Sequence, residues 1–190
     1  MRRGLLAFGI IFLLTISIAS AGFLTYYGKV EGIAKVKGPR FYASCTSVDS
    51  NIVYKLLIND NSTGDCTPRE FTDGSLKWFL SDSLGISSFY PANYSFYVKA
   101  KADKPGQILH LELWITDKEG NKKEGGLICD ANINITTNET FSSYSAYCMS
   151  NSLTLNENDR IAWIMTGGAF TGKYYIDVSH GNTRIEVDKA

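Results

Sequence analysis

The side chains able to do chemistry are few and scattered. The chain has two histidines, His110 and His180. His110 falls on the outward parity of an alternating stretch and His180 in a turn, and neither has a second histidine near it in sequence. That placement argues against a multi-histidine metal site and against a Ser-His-Asp relay. No G-x-S-x-G, H-E-x-x-H or glycine-rich phosphate loop occurs. Carboxylates gather at turns, among them Asp60, Asp65, Asp117, Glu119, Asp130, Glu157 and Asp159. Turn carboxylates usually bond their own backbone. They are also the oxygen ligands that Ca²⁺ takes, but no ligand spacing is recognisable, so Ca²⁺ stays a secondary reading. These residues lead to the expectation that the chain is not an enzyme and has no catalytic residue.

The cysteines are more informative. Cys45, Cys66, Cys129 and Cys148 make an even count, which in an exported chain points to two disulfides. Four cysteines allow three connectivities. The preferred one is Cys45–Cys66 and Cys129–Cys148. Cys129 and Cys148 lie on the apolar parity of successive strands, and the segment between them turns near Asn138-Glu139, so a hairpin would bring them together. A tetrahedral metal site is the rival, but no C-x-x-C spacing supports it.

Four N-x-[ST] sequons occur, at Asn61, Asn93, Asn134 and Asn138. In an exported chain four such motifs suggest a surface carrying N-linked glycans. A Ser/Thr/Asn-rich β-protein also generates them by chance.

Stepping along the chain gives the elements that must position these groups. Residues 40–46 and 51–58 read as strands, and 75–81 as a short apolar strand or single helical turn. Asn93–Lys101 alternates cleanly, with Tyr94, Phe96, Val98 and Ala100 on one side. Leu109, Leu111, Leu113 and Ile115 form the next inner row, with His110, Glu112, Trp114 and Thr116 outward. Further inner rows are Leu127, Cys129, Ala131, Ile133 and Ile135; then Tyr144, Ala146 and Cys148; then Ile161, Trp163 and Met165; then Tyr174, Ile176 and Val178; then Ile185 and Val187. The Gly167-Gly168 pair suggests a bulge or an edge bend. Tyr97 and Trp114 both point away from the core; aligned by neighbouring strands they would form a sugar-binding platform, but the preferred reading is packing, with a second sheet, a sugar on Asn93 or a neighbouring subunit covering them. About ten short strands with turn signals between them indicate an all-β, jelly-roll-like antiparallel β-sandwich. Composition agrees: 44% hydrophobic, 20% charged and a formal charge of zero. The balance lacks the basic excess of a nucleic-acid binder.

The sandwich is preceded by an N-terminal hydrophobic signal or anchor helix. Arg2-Arg3, an uncharged apolar run from Leu5 to Ile18, and Ala19-Ser20-Ala21 have the layout of a secretory signal peptide. The run is short for a membrane span, although Gly22–Tyr27 would lengthen it enough for an uncleaved anchor. Residues 1–21 are thus a signal peptide or an anchor, 22–37 a strand, and 38–190 the sandwich domain. In the strand, Leu24, Tyr26, Gly28, Val30, Gly32, Ala34 and Val36 share an apolar or small side, and the alternate residues are mostly polar. A strand of that length needs a sheet to join, in its own subunit or in another.

Two stretches carry a resemblance. Ala21-Gly22-Phe23-Leu24-Thr25-Tyr26-Tyr27-Gly28, followed by K-V-x-G-x-A-x-V, resembles the start of TasA/camelysin-type filament proteins and the related archaeal bundling pilins. Lys77-Trp78-Phe79-Leu80, Asn158-Asp159-Arg160-Ile161 and Thr183-Arg184-Ile185-Glu186-Val187 are similar to a secreted β-sandwich family common in archaea. The cysteines do not map onto the biofilm-filament members. The resemblance implies a structural subunit of a cell-surface or extracellular filament. Its partners would be copies of itself, after signal peptidase has acted, joined by donor-strand complementation through the residue 22–37 strand. The membrane would be met only through the N-terminal segment before cleavage. The alternative is a secreted carbohydrate-binding or adhesin-type β-sandwich module, monomeric or membrane-anchored.

Overall fold

The structure is a computed structural model. It describes residues 38–49, 53–58, 64–72, 74–79, 88–89, 92–150, 153–168 and 172–189. The expected signal or anchor helix and the donor strand Leu24–Val36 lie outside the described residues. Gly38–Ala190 forms one compact unit. Among the described residues no helix is long and apolar enough to cross a membrane.

The unit is all-β. Its strands are β1 (Arg40–Asp49), β2 (Val53–Ile58), β3 (Arg69–Phe71), β4 (Ser75–Phe79), β5 (Ser88–Phe89), β6 (Ala92–Ala102), β7 (Gln107–Thr116), β8 (Lys122–Ile135), β9 (Ser142–Ser150), β10 (Leu153–Thr154), β11 (Arg160–Gly167), β12 (Tyr174–Asp177) and β13 (Arg184–Lys189). A 3-10 turn, Ser179–Gly181, lies between β12 and β13 in the chain. Among the described residues eleven strands form one sheet in the order β3-β12-β6-β13-β1-β2-β4-β11-β7-β8, with β9 on the other edge of β6. β5 and β10 pair separately.

The sheet folds over on itself as a sandwich. Phe96 on β6 meets Trp163 on β11 with ring centroids 5.8 Å apart, although several strands separate them along the ladder. Trp163 also meets Trp78 of β4 at 5.8 Å. Aromatic pairs at these separations add to the burial of their large apolar areas. The alternating pattern is why the core closes. On β6, Tyr94, Phe96, Val98, Ala100 and Ala102 are buried, and on β7 so are Leu109, Leu111, Leu113 and Ile115. The Trp78 indole N–H donates to the Ser44 carbonyl at 3.0 Å, so that buried polar group is satisfied.

Two arches set the topology. β6 runs into β7 through Pro105-Gly106, and Gly106 adopts φ 80°, a conformation open to glycine at little cost. β8 runs into β9 through residues 136–141. Neither connection is a paired hairpin: β6 pairs with β9 and β7 with β8. The arches stack, since the Ala102 N–H donates to Thr137 O at 3.1 Å and the Gly106 N–H to Ile135 O at 2.7 Å. The hairpin expected between Cys129 and Cys148 is therefore an arch between layers. Its cause is pairing competition, because β9 matches the long regular face of β6 across its whole length.

Leu127 also departs from its expected inner position. It is 38% exposed and stands opposite Trp114, while Cys129 stands opposite Leu113. Ile128 is thus an extra residue. A β-bulge of this kind shifts the parity of everything before it, so Leu127 turns outward and Ile128 becomes the buried residue. Gly167 sits where an added Cβ would run into the Tyr174 ring, a close approach that accounts for the glycine there.

Candidate functional site

Among the described residues β9, Ser-Ser-Tyr-Ser-Ala-Tyr-Cys-Met-Ser, is a long edge strand without the usual protection. It has no charged residue, proline or glycine. It pairs with β6 from Ala92↔Ser150 to Ala100↔Ser142, and among the described residues it has no partner on its other edge. Natural edge strands are normally blunted by charges, prolines, bulges or shortness. β8, at the other end of the sheet, follows that rule with Lys122, Lys123, Glu124, Asp130 and its bulge. β9 has none of these devices.

The inner row of β9 is incompletely covered. Tyr144, Ala146 and Cys148 pack against the core but are only half-buried, whereas the inner row of β6 beside them is buried throughout. The outer row is Ser143, Ser145, Tyr147 and Met149, with Tyr147 85% and Met149 69% exposed. An added strand along this edge would find open backbone N–H and C=O groups and apolar side chains to cover.

Two features hold the edge in place. The Cys129–Cys148 disulfide ties β9 to β8 with Cα atoms 6.0 Å apart. Stacked sheets lie about 10 Å apart, so the layers pinch together here and no strand fits between these two residues. The accessible side of β9 is the outer backbone edge. The Tyr144 hydroxyl accepts from the Thr136 N–H at 3.1 Å and the Thr137 N–H at 3.3 Å, and pairs with Thr137 Oγ1 at 2.9 Å. Partial burial raises the Tyr144 phenol, but the hydrogen bonds from Thr137 and Thr136 outweigh it and leave its pKa below the usual tyrosine value.

The second disulfide, Cys45–Cys66, joins β1 to the segment before β3. Both bridges follow the preferred connectivity, and two disulfides in a chain of this size are the mark of an oxidising environment. Asn93, Asn134 and Asn138 are exposed, and Asn61 lies outside the described residues. The Tyr97–Trp114 platform, the less favoured of the two readings of these rings, is not assembled. Tyr97 is on β6 and Trp114 on β7, in opposite layers whose inner rows face each other. The Arg184 guanidinium lies 4.4 Å from the Tyr97 ring centroid, and Lys122 Nζ lies 4.5 Å from that of Trp114. The two histidines are far apart in their partners: His110 Nδ1 is 2.8 Å from Asn132 Oδ1 and His180 Nε2 is 2.9 Å from Asp65 Oδ1. Asp117 accepts from the backbone N–H of Glu119 and Asn121, the local role that turn carboxylates usually take. Among the described residues no group of three or more His, Cys, Asp or Glu side chains is placed to hold a metal ion. Sequence reasoning missed that β9 is an edge, and the absence of any charge from 142 to 150 gave no signal of it, because edge strands normally carry charges.

No family model and no curated protein matches the chain. Solved structures match in fold. An α-amino acid ester hydrolase aligns with TM-score 0.55 and 8% identity, over 78% of this chain and 36% of its own. An aminopeptidase from a marine sediment archaeon, Thaumarchaeota archaeon, aligns with TM-score 0.52 and 8% identity, over 78% and 36%. A CocE/NonD family hydrolase from Staphylococcus aureus aligns with TM-score 0.52 and 9% identity, over 83% and 37%. The chain thus spans little more than a third of the length of these proteins. They overturn the expectation that this chain is not an enzyme, because the same fold is found within hydrolases. The likeness is one of fold, and at this identity it assigns no reaction to these residues.

Proposed function

We propose that this chain is an extracellular, cell-surface β-sandwich subunit that assembles with copies of itself by strand addition, the strand of residues 22–37 from one copy pairing along β9 of the next. The observation that supports the reading is the state of β9: among the described residues, a nine-residue edge strand with no charge, proline or glycine of its own and a half-buried inner row. The apolar side of residues 22–37 matches what that row lacks, with Leu24, Tyr26, Val30, Ala34 and Val36 as anchors and Gly28 and Gly32 permitting close backbone approach. In strand addition the main-chain hydrogen bonds supply affinity and alternate side chains supply register. Burying each Val or Leu contributes about 1.5–3 kcal/mol. A head-to-tail contact of this kind does not close on itself and propagates as a fibre. The resemblance of the N-terminal stretch to filament proteins points the same way.

The test uses the chain freed of residues 1–21 and a second form lacking 22–37 as well. The first should form fibres visible by electron microscopy. The second should stay dispersed and be stabilised by a synthetic peptide of residues 22–37, with β9 amides gaining protection from hydrogen exchange. A first form that stays monomeric at high concentration, with residues 22–37 protected, would show that the strand pairs within its own subunit.

A further inference from the structure

Among the described residues four large apolar side chains are exposed: Ile108, Leu127, Tyr147 and Met149. Three of them stand directly across a strand pair from a sequon. Met149 on β9 is opposite Asn93 on β6, and Tyr147 is opposite Ser95, the hydroxyl residue of that same sequon. Ile108 on β7 is opposite Asn134 on β8. Directly paired residues on one face have Cβ atoms about 4.5–5.5 Å apart, and diagonal neighbours remain within reach of long side chains. Asn93 and Asn134 are both exposed, and so is Asn138, which lies in the loop after β8 outside any strand pair.

We infer that N-linked sugars on Asn93 and Asn134 lie against these apolar side chains, so that the carbohydrate covers the exposed apolar surface of the two outer faces. A pyranose ring has a C–H face and an oxygen-rich rim. The C–H face is complementary to the negative face of a tyrosine ring and to the soft thioether of a methionine, while the rim stays in water. The surroundings of Asn93 set the direction. On its other side the paired residue is Asp188 of β13, which is charged and exposed, so the apolar face of the sugar turns toward β9. At Asn134 the neighbour on β7 is Ile108, 52% exposed. The transfer draws on a lipid-phosphate-linked oligosaccharide. The bond from the Asn Nδ2 to the sugar C1 forms as the C1–O bond to phosphate breaks, the amide gives up one proton, and the lipid phosphate leaves. The sugar occupies the outer face of β9 and not its backbone edge, so this inference stands independently of strand addition.

The experiment compares the chain secreted from a glycosylating cell with the same chain from a bacterial periplasm, which forms disulfides without adding N-linked sugar. Peroxide oxidation of Met149 is followed by peptide mass, with the buried Met165 as internal reference. Asn93 and Asn134 are expected to be occupied, and Met149 to oxidise several-fold more slowly in the glycosylated chain. Ser95→Ala, which removes the sequon and keeps Asn93, should restore the fast rate; Thr140→Ala, which removes the Asn138 sequon, should leave it slow. The sugar at Asn134 should raise Tm in the parent and fail to raise it in Ile108→Ser. Equal oxidation rates with and without sugar at Asn93, an unmodified Asn93 or Asn134 in secreted protein, or an equal Tm gain in Ile108→Ser would each overturn the inference.

Discussion

Cys129 and Cys148 lie 6.0 Å apart at Cα, yet the strands that carry them share no ladder and belong to opposite layers. The disulfide therefore closes the sandwich where hydrogen bonding does not. A bridge that closes a loop of about 20 residues contributes roughly 3 kcal/mol, mainly by restricting the unfolded chain. The double variant Cys129→Ala, Cys148→Ala should lose about that much stability in a denaturant titration. Its β9 amides should exchange faster, while those of β6 and β7 keep their protection. Unchanged exchange at β9 would mean that Tyr144 and the β6 ladder suffice to hold the edge.

Ala146 sits at the middle of the half-buried inner row of β9. Inward-pointing charges are a device by which natural edges avoid pairing. Ala146→Lys should leave a folded monomer, recognisable by native-like circular dichroism, and abolish fibre growth even when parent subunits are mixed in as donors. Fibres of normal yield from the variant would move the accepting edge away from β9.

Acid should weaken the fold through two carboxylates. Asp159 accepts from Lys123 Nζ at 2.7 Å and from the Asn156 N–H at 2.9 Å. Asp177 faces Lys99 Nζ at 3.0 Å and accepts from the Ser179 N–H at 3.0 Å. Burial raises both carboxyls, but the hydrogen bonds and the lysines outweigh it and hold both below the ordinary value of 3.8. A depressed carboxylate contributes stability that is fully present above its unfolded value and is lost as pH falls through its folded value. Stability should thus hold down to about pH 4 and then decline. Asp159→Asn should cost about 1–3 kcal/mol at neutral pH and flatten the acid limb of the stability curve.

Trp163 is fully buried and touches both Phe96 and Trp78, so it joins the two layers. Trp163→Ala should cost about 3–5 kcal/mol, measured by chemical denaturation. A loss under 1 kcal/mol would mean that the layers repack around the gap.

Tyr144 anchors the β8–β9 arch through its hydroxyl. Tyr144→Phe keeps the ring and removes that acceptor from the Thr136 and Thr137 N–H groups. The expected loss is about 1 kcal/mol, with faster hydrogen exchange confined to residues 136–141.

Period-two alternation is a local property, and it determined by itself which residues of β6, β7, β11, β12 and β13 face the core. Tyr94, Leu109, Trp163, Ile176 and Ile185 are all buried where their parity puts them. The cysteine spacing likewise led to the pairing that the fold contains. What the sequence could not decide is which strand lies beside which. Cys129 and Cys148 suit a hairpin and an arch equally well, because both bring successive inner rows together. Only the competition for β6 sends β9 to the far layer and leaves its outer edge without a partner among the described residues. The bulge at Ile128 depends in the same way on the register with β7, so Leu127 kept its apolar character and lost its inward place. Tyr97 and Trp114 are both outward by parity, but outward means opposite directions once the sheet has folded over. The half-buried row of Tyr144, Ala146 and Cys148 is decided by neighbours far away in sequence, and a local pattern carries no information about which neighbours are missing.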